Sequence, residues 1–291
     1  MKSFCLKTNN DNILDYLLEK IEEIDFQDLI YCKNKFKNYK NVIIHYKGEN
    51  EKEYTEFLKE LILDIILNFY EDKIIRRMIA FNYFYFESYE REQIFNHCFE
   101  IMQKDEFNTI EERCKCDKRE DIIKIQIDKF LEEQNTMILD GFITFRLQDY
   151  FSYLDNIIDI SVNKYIVEKE YNEFIDLLKA YVDSSISKND IVHLIYKNNE
   201  GMLLDNNKNL IDISENLLKN NFLSDISFST NDYILNTLLT ISPKKIEIHI
   251  IDEEDEFIDT IKLIFRNRVS ICRNCNICKT YKILNNAKVK N

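Results

Sequence analysis

Three cysteines near the end of the chain, in Cys272-Arg273-Asn274-Cys275-Asn276-Ile277-Cys278, are the residues best placed by spacing to do chemistry. Two overlapping C-x-x-C intervals gather three thiols into one turn-like stretch. Thiolates so gathered can wrap a single soft cation, and zinc sites commonly begin with such a knuckle. A closed zinc site needs a fourth donor. Cys5, Cys114, Cys116 and His249 are all candidates, and nothing in their spacing selects one.

Other chemistries fit the cysteines less well. An iron–sulfur cluster run would need a fourth cysteine where Lys282 stands, with a proline after it. A thioredoxin-like redox pair opens a helix, whereas this motif follows an expected strand. Three ordinary reduced thiols in a lysine-rich tail remain the plain alternative. Cys114-Lys115-Cys116 lies in a run of charge, where a solvated pair of thiols binds metal only if other ligands fold against it.

The other reactive side chains are scattered. His45, His193 and His249 fall in expected strands and His97 in an expected helix, with no H-x-x-x-H spacing and no Ser/His/Asp order. Arg146, Asp149, Glu168, Lys169, Glu170 and Glu173 are dense in the middle of the chain. Their spacing predicts pairing across helical turns, Arg146 with Asp149 and Lys169 with Glu173. Three isolated glycines cannot form a phosphate-cradling loop.

The elements that must position these residues follow from composition and periodicity. The 291 residues are 45% hydrophobic and 31% charged, enough to bury a substantial core in one or two domains. With three glycines and one proline, long helices joined by polar loops are expected. The net charge of −13, with both signs mixed along the chain, argues against nucleic acid as the main partner, because phosphate binding needs a concentrated positive footprint. Two lysine-rich stretches depart from that mixture and read as solvated surface: Lys33, Lys35, Lys37 and Lys40 in a loop-like segment, and Lys279, Lys282, Lys288 and Lys290 in the tail. Met1 to Thr8 has no secretory pattern, and no apolar run is long enough to span a bilayer. Eight cysteines in that setting imply reduced thiols or metal ligands, hence the cytosol.

Along the chain, Phe4 to Leu6 reads as a weak strand, and Asn9, Asn10 and Asp11 open a helix with Ile13, Leu14, Leu17, Leu18, Ile21 and Ile24 on its buried face. Val42 to Tyr46 is a second strand. Helix returns near Glu51, and the aromatic-rich Ile79 to Phe86 is expected to be buried. A boundary is expected near residues 104 to 120, separating a mostly helical α/β region, 1–120, from a region 121–291. Ile138 to Asp183 reads as two or three helices, since one so long would be rare. Ile191 to Tyr196 and Met202 to Leu204 form a hairpin with Gly201 in the turn. A helix ends at Ser242–Pro243, and Lys245 to Ile251 alternates, with Ile246, Ile248 and Ile250 on one face and Glu247 and His249 on the other. An acidic helix start at Asp252 to Glu256 and a last strand at Val269 to Ile271 complete a small, partly parallel sheet. The fold class is α+β, with central helices followed by a small C-terminal α/β unit.

The stretch Asp140-Gly141-Phe142-Ile143-Thr144-Phe145-Arg146-Leu147-Gln148-Asp149-Tyr150, then Glu168 to Ile175 with Leu177 and Leu178, Ser242 to Ile246, and Arg268 to Cys272 with Cys275 and Cys278, resembles the YtxC-like sporulation family of endospore-forming Firmicutes. The resemblance runs mainly over residues 138–278. It implies a cytoplasmic protein connected with sporulation and assigns no active-site residue. With it, the sequence points to a non-enzymatic interaction or regulatory protein with a protein partner. Zinc is the cofactor expected, if any, on Cys272, Cys275 and Cys278. The competing reading is a thiol-redox or other enzyme using those cysteines, with Arg146 and Asp149 beside a pocket.

Overall fold

The structure, a computed structural model, describes residues 1–23, 28–36, 39–103, 119–187, 190–197, 200–211 and 229–281. The chain divides into two compact units, Met1–Val167 and Glu168–Asn291. Ile24, Lys37, Cys114, Cys116, Lys282, Lys288 and Lys290 lie outside the described residues.

In the first unit, β1 (Lys2–Thr8) leads into α1 (Asp11–Glu23), then β2 (Leu29–Phe36) and β3 (Tyr39–Tyr46). The helices α2 (Glu51–Ile65), α3 (Glu71–Asn82), α4 (Ser88–Gln103) and α5 (Arg119–Glu133) follow. A π-helical turn, Ile66–Tyr70, separates α2 from α3. The short strand β4 (Thr136–Ile138) completes a sheet of order β2-β3-β1-β4, in which β1 is antiparallel to β3 and parallel to β4. Phe4, Leu6, Val42 and Ile44 of this sheet are buried with Ile13 and Leu17 of α1. Asn50 starts α2 by accepting from the Glu53 backbone N–H, which satisfies one of the donors left open at a helix start.

Two sequence expectations fail in this unit. Lys33 and Lys35 lie on β2 and Lys40 on β3, where Lys40 pairs with Asp11, so the lysine-rich stretch is strand and not loop. Charged side chains on an edge strand deter pairing with other chains, and those same charges mask the strand's apolar pattern. The aromatic run is largely exposed and not buried: Ile79 is in the core, but Phe81, Phe84 and Tyr85 are 82%, 74% and 63% exposed. Phe81, two residues past Ile79, falls on the outward face of α3, and α3 ends at Asn82, so Phe84 and Tyr85 lie beyond the helical face that carried Ile75 and Ile79 inward.

Helices α6 (Leu139–Arg146) and α7 (Gln148–Ser184) occupy the middle of the chain. Two helices were within expectation, but the second runs unbroken for 37 residues. No glycine or proline interrupts it, and it feeds two cores: Tyr150, Leu154, Ile158 and Tyr165 are buried in the first, Ile175 and Val182 in the second. With buried contacts at both ends, length alone gives no reason for a break.

The second unit holds β5 (Ile191–Lys197), β6 (Glu200–Leu204), α8 (Thr230–Ile241), β7 (Lys245–Ile250), α9 (Glu256–Phe265) and β8 (Val269–Cys272). The sheet order is β6-β5-β7-β8: β5 and β6 form the expected hairpin, while β5, β7 and β8 are parallel. Gly201 does not make the turn. It sits within β6 opposite Tyr196, where a Cβ would overlap Ile234 Cδ1 of α8. Ser229 and Asp232 form a reciprocal capping box at the start of α8, and Ser242 ends it in the left-handed region (φ 45°) just before Pro243. Asp255 caps α9 by accepting from the Ile258 N–H. Val192, Leu194, Ile246, Ile248 and Ile250 share a core with Leu238, Ile258 and Ile261. The architecture is α+β: helix-rich, with two small mixed sheets.

Candidate metal centre

Parallel pairing of β7 with β8 sets His249 directly opposite Cys272. In β7 the isoleucines at 246, 248 and 250 point into the helix-covered core, so strand alternation turns His249 to the other face. On that face Ile195, Leu204, Ile251 and Cys278 form a separate small apolar cluster, packed by Cys272, Cys275, Ile277 and Tyr281. After β8 the backbone bends through 273–275 and winds into a helical stretch, 276–281, which the Lys279 N–H bonds to the Cys275 carbonyl at 3.0 Å.

The result brings one imidazole nitrogen and three sulfurs together. Cys275 Sγ lies 3.6 Å from Cys278 Sγ, and Cys278 Sγ lies 3.9 Å from Cys272 Sγ. His249 Nδ1 lies 3.3 Å from Cys275 Sγ and 3.5 Å from Cys278 Sγ. The Cys278 backbone N–H points at Cys275 Sγ across 3.5 Å, an arrangement that favours negative charge on sulfur. All four donor atoms fall within 4.8 Å of one another, so this group could hold a metal ion. His249 is the fourth candidate donor brought to the cysteines. Cys5 lies on β1, in the first unit.

Electrostatics suit ligation at His249 and Cys275 and oppose it at Cys278, since the thiolate is the metal-binding form. Burial, helped by nearby His193, holds the His249 imidazole below its usual range, which favours the neutral ring a metal requires. Burial pushes the Cys278 thiol up to about 12, with Cys275 adding to it. Burial alone would also raise Cys275, but hydrogen bonds from the Cys278 backbone and the neighbouring thiols outweigh it and bring that thiol below its usual value.

His193 and Glu247 were missed as neighbours of this cluster. His193 Nδ1 lies 3.0 Å from His249 Nε2 and 3.2 Å from Glu247 Oε2. The one available signal was the i, i+2 spacing of Glu247 and His249, which puts both on one strand face. The partner strand could not be read from it.

The remaining reactive residues have local partners. His45 bonds Ser3 Oγ at 2.7 Å, and His97 lies 3.5 Å from Glu100. Arg146 takes Glu133 of α5 at 3.9 Å, and Asp149 accepts from Gln126 Nε2 at 3.2 Å, so cross-helix contacts replace the expected Arg146–Asp149 pair. A cavity of about 710 Å³ in the first unit is lined by Lys73, Arg77, Met78, Phe81 and Asp140 among others, without Arg146 or Asp149.

An α+β protein with a four-donor sulfur–nitrogen cluster at the edge of its second sheet is the class these features define. The YtxC-like family model matches residues 56–270, and the chain belongs to that family. The match begins well upstream of residue 138, where the resemblance was expected to start, and it ends two residues short of Cys272. A relative in Bacillus subtilis (strain 168), named Uncharacterized protein YtxC, is 22% identical over 217 residues, covering 74% of this chain and 76% of its own. No solved structure matches. Some of the residues that carried the resemblance meet in space. Arg268 donates to Ser242 Oγ at 3.2 Å, to the Pro243 carbonyl at 3.3 Å and to the Val182 carbonyl at 3.0 Å. Those bonds tie the turn just before β8 to the end of α8 and to α7. No described helix is long and apolar enough to cross a membrane.

Proposed function

We propose that this chain is a cytoplasmic, non-enzymatic interaction or regulatory protein connected with spore formation, whose C-terminal segment is fastened by one zinc ion on Cys272, Cys275, Cys278 and His249. One observation carries the zinc. Tetrahedral coordination at about 2.3 Å to sulfur and about 2.0 Å to nitrogen demands edges of about 3.8 Å between sulfurs and about 3.6 Å between sulfur and nitrogen. Four of the six edges, the S–S edges of 3.6 and 3.9 Å and the S–N edges of 3.3 and 3.5 Å, lie near those lengths, and all four donor atoms fall within 4.8 Å of one another.

A closed set of four protein donors leaves no position for a reacting water, which favours a structural ion over a catalytic one. The connection with spore formation rests on the family resemblance. A protein partner is favoured by the exposed aromatic group Phe81, Phe84, Tyr85 and Tyr89, because solvent-facing aromatics grouped in this way mark interaction surfaces. The net charge of −13 makes nucleic acid the poorer partner.

Elemental analysis of untagged protein purified under reducing conditions tests the zinc. About one zinc per chain is expected, lost in the Cys272→Ser, Cys275→Ser, Cys278→Ser triple variant. Iron with visible absorbance would replace zinc by a cluster, and no metal in either protein would sink the metal reading. A deletion strain that sporulates normally would remove the developmental role. A thiol-redox function is the second reading, favoured by the unequal acidities of Cys275 and Cys278 at 3.6 Å. Recovery of metal-free protein with a Cys275–Cys278 disulfide would select it.

A further inference from the structure

His249 has two ring nitrogens, and only Nδ1 faces the sulfurs. Nε2 points the other way, 3.0 Å from His193 Nδ1, with the ring centroids 5.3 Å apart and the planes 28° from parallel. The parallel register of β5 and β7 explains the meeting: His193 lies opposite Glu247, and His249 follows two residues later on the same face. His193 is well enclosed, with 12% of its side chain exposed, while Glu247 keeps 30%.

A hydrogen bond between two neutral imidazoles needs one proton, and its direction decides what His249 can do. If His193 carries its proton on Nδ1, it donates to His249 Nε2 and to Glu247. The His249 proton then sits on Nδ1, aimed at the sulfurs and occupying the lone pair a metal would use. If His249 carries its proton on Nε2, it donates to His193 Nδ1, and its own Nδ1 is bare toward the three sulfurs. Only the second arrangement binds a metal.

We propose that His193 is the positioning residue of the metal centre: its Nδ1 accepts from His249 Nε2–H and so holds His249 in the metal-binding tautomer. Glu247 is not that acceptor. It sits against the same nitrogen of His193 and stabilises the opposing, metal-free direction of the bond. This inference rests on the zinc reading above. A histidine ligand whose second nitrogen is fixed by a neighbour is a general feature of metal sites, and loss of such a neighbour weakens binding.

The test combines zinc affinity, measured by competition with a chromophoric chelator, with ¹⁵N NMR of the histidine rings. Zinc-loaded wild type should show His249 metal-bound at Nδ1 and protonated at Nε2, and His193 protonated at Nε2 with Nδ1 bare. His193→Leu should bind zinc about 10- to 100-fold more weakly. His193→Asn, whose Oδ1 can stand where Nδ1 stood, should recover most of that loss, and Glu247→Val should bind at least as tightly as wild type. A His193→Leu protein with wild-type affinity overturns the proposal while leaving the zinc site intact. So does a Glu247→Val protein as weak as His193→Leu, because the carboxylate would then be the acceptor. A proton on His193 Nδ1 in the loaded wild type overturns it without recourse to any variant's folding. Wild type that binds no zinc overturns it together with the reading on which it rests.

Discussion

Glu71 and Glu90 are carboxylates buried in the first unit, 3% and 4% exposed, and each is held by a tyrosine hydroxyl from α7. Tyr165 donates to Glu90 at 2.8 Å, while Tyr150 donates to Glu71, which Arg119 also reaches at 2.7 Å. Burial raises the Glu71 carboxyl above its ordinary range despite the opposing pull of Tyr150 and Arg119. A group whose native value is raised contributes stability that is fully present below its unfolded value and is lost as pH rises through the native one. Relative to Glu71→Gln, wild type should therefore lose ground as pH climbs above about 4.3, and urea midpoints of the two proteins across pH 4–7 would show it. A difference that stays flat would contradict the assignment. Tyr150→Phe should cost about 1–3 kcal/mol at neutral pH, because it strips a donor from a buried carboxylate oxygen. Neither pairing was legible in the sequence, where acid and tyrosine stand far apart.

At the scale of elements, the second sheet was read well and the first only in part. Alternation at Ile246, Ile248 and Ile250, the stop at Ser242–Pro243 and the acidic start of α9 are local signals, and each marks a real feature. The strand β2 escaped notice because its exposed lysines break the alternation on which such a reading depends. Gly201 was assigned to the right hairpin for the wrong reason, since what it provides is room for Ile234. Gly201→Ala should thus destabilise the second unit by about 1–3 kcal/mol, the usual cost of overpacking a close contact. Ile234→Val removes the atom in the way, so the double variant should be more stable than the sum of the two single losses predicts. Chemical denaturation of the four proteins measures this, and simple additivity would show that the contact is not responsible.

For the molecule as a whole, α7 links two units with separate cores, and the family match, 56–270, runs across both. The first core, built on Phe4, Leu6, Val42 and Ile44, takes no residue from the sulfur cluster. Stripping the proposed zinc with a chelator should accordingly raise amide exchange in β7, β8 and 276–281 while β1 and β3 keep their protection. Equal loss of protection in both units would show that the centre is not local to the second.

The sequence by itself determined the local features: the three-thiol knuckle, the isoleucine face of β7, the stop of α8, the acidic start of α9, and enough of the family pattern to place the chain. Each depends on residues a few positions apart, where backbone geometry and period set the outcome. Tertiary structure decided which donor lies beside the thiols, which histidine lies against that donor and which acids are buried. His249 meets Cys272 because β7 and β8 pair in one parallel register, and it meets His193 because β5 lies along β7's other edge. Register is settled by how the isoleucine face packs beneath α8 and α9, and a shift of one residue would turn His249 into the core. That balance is struck between distant segments, so no local stretch of sequence carries it.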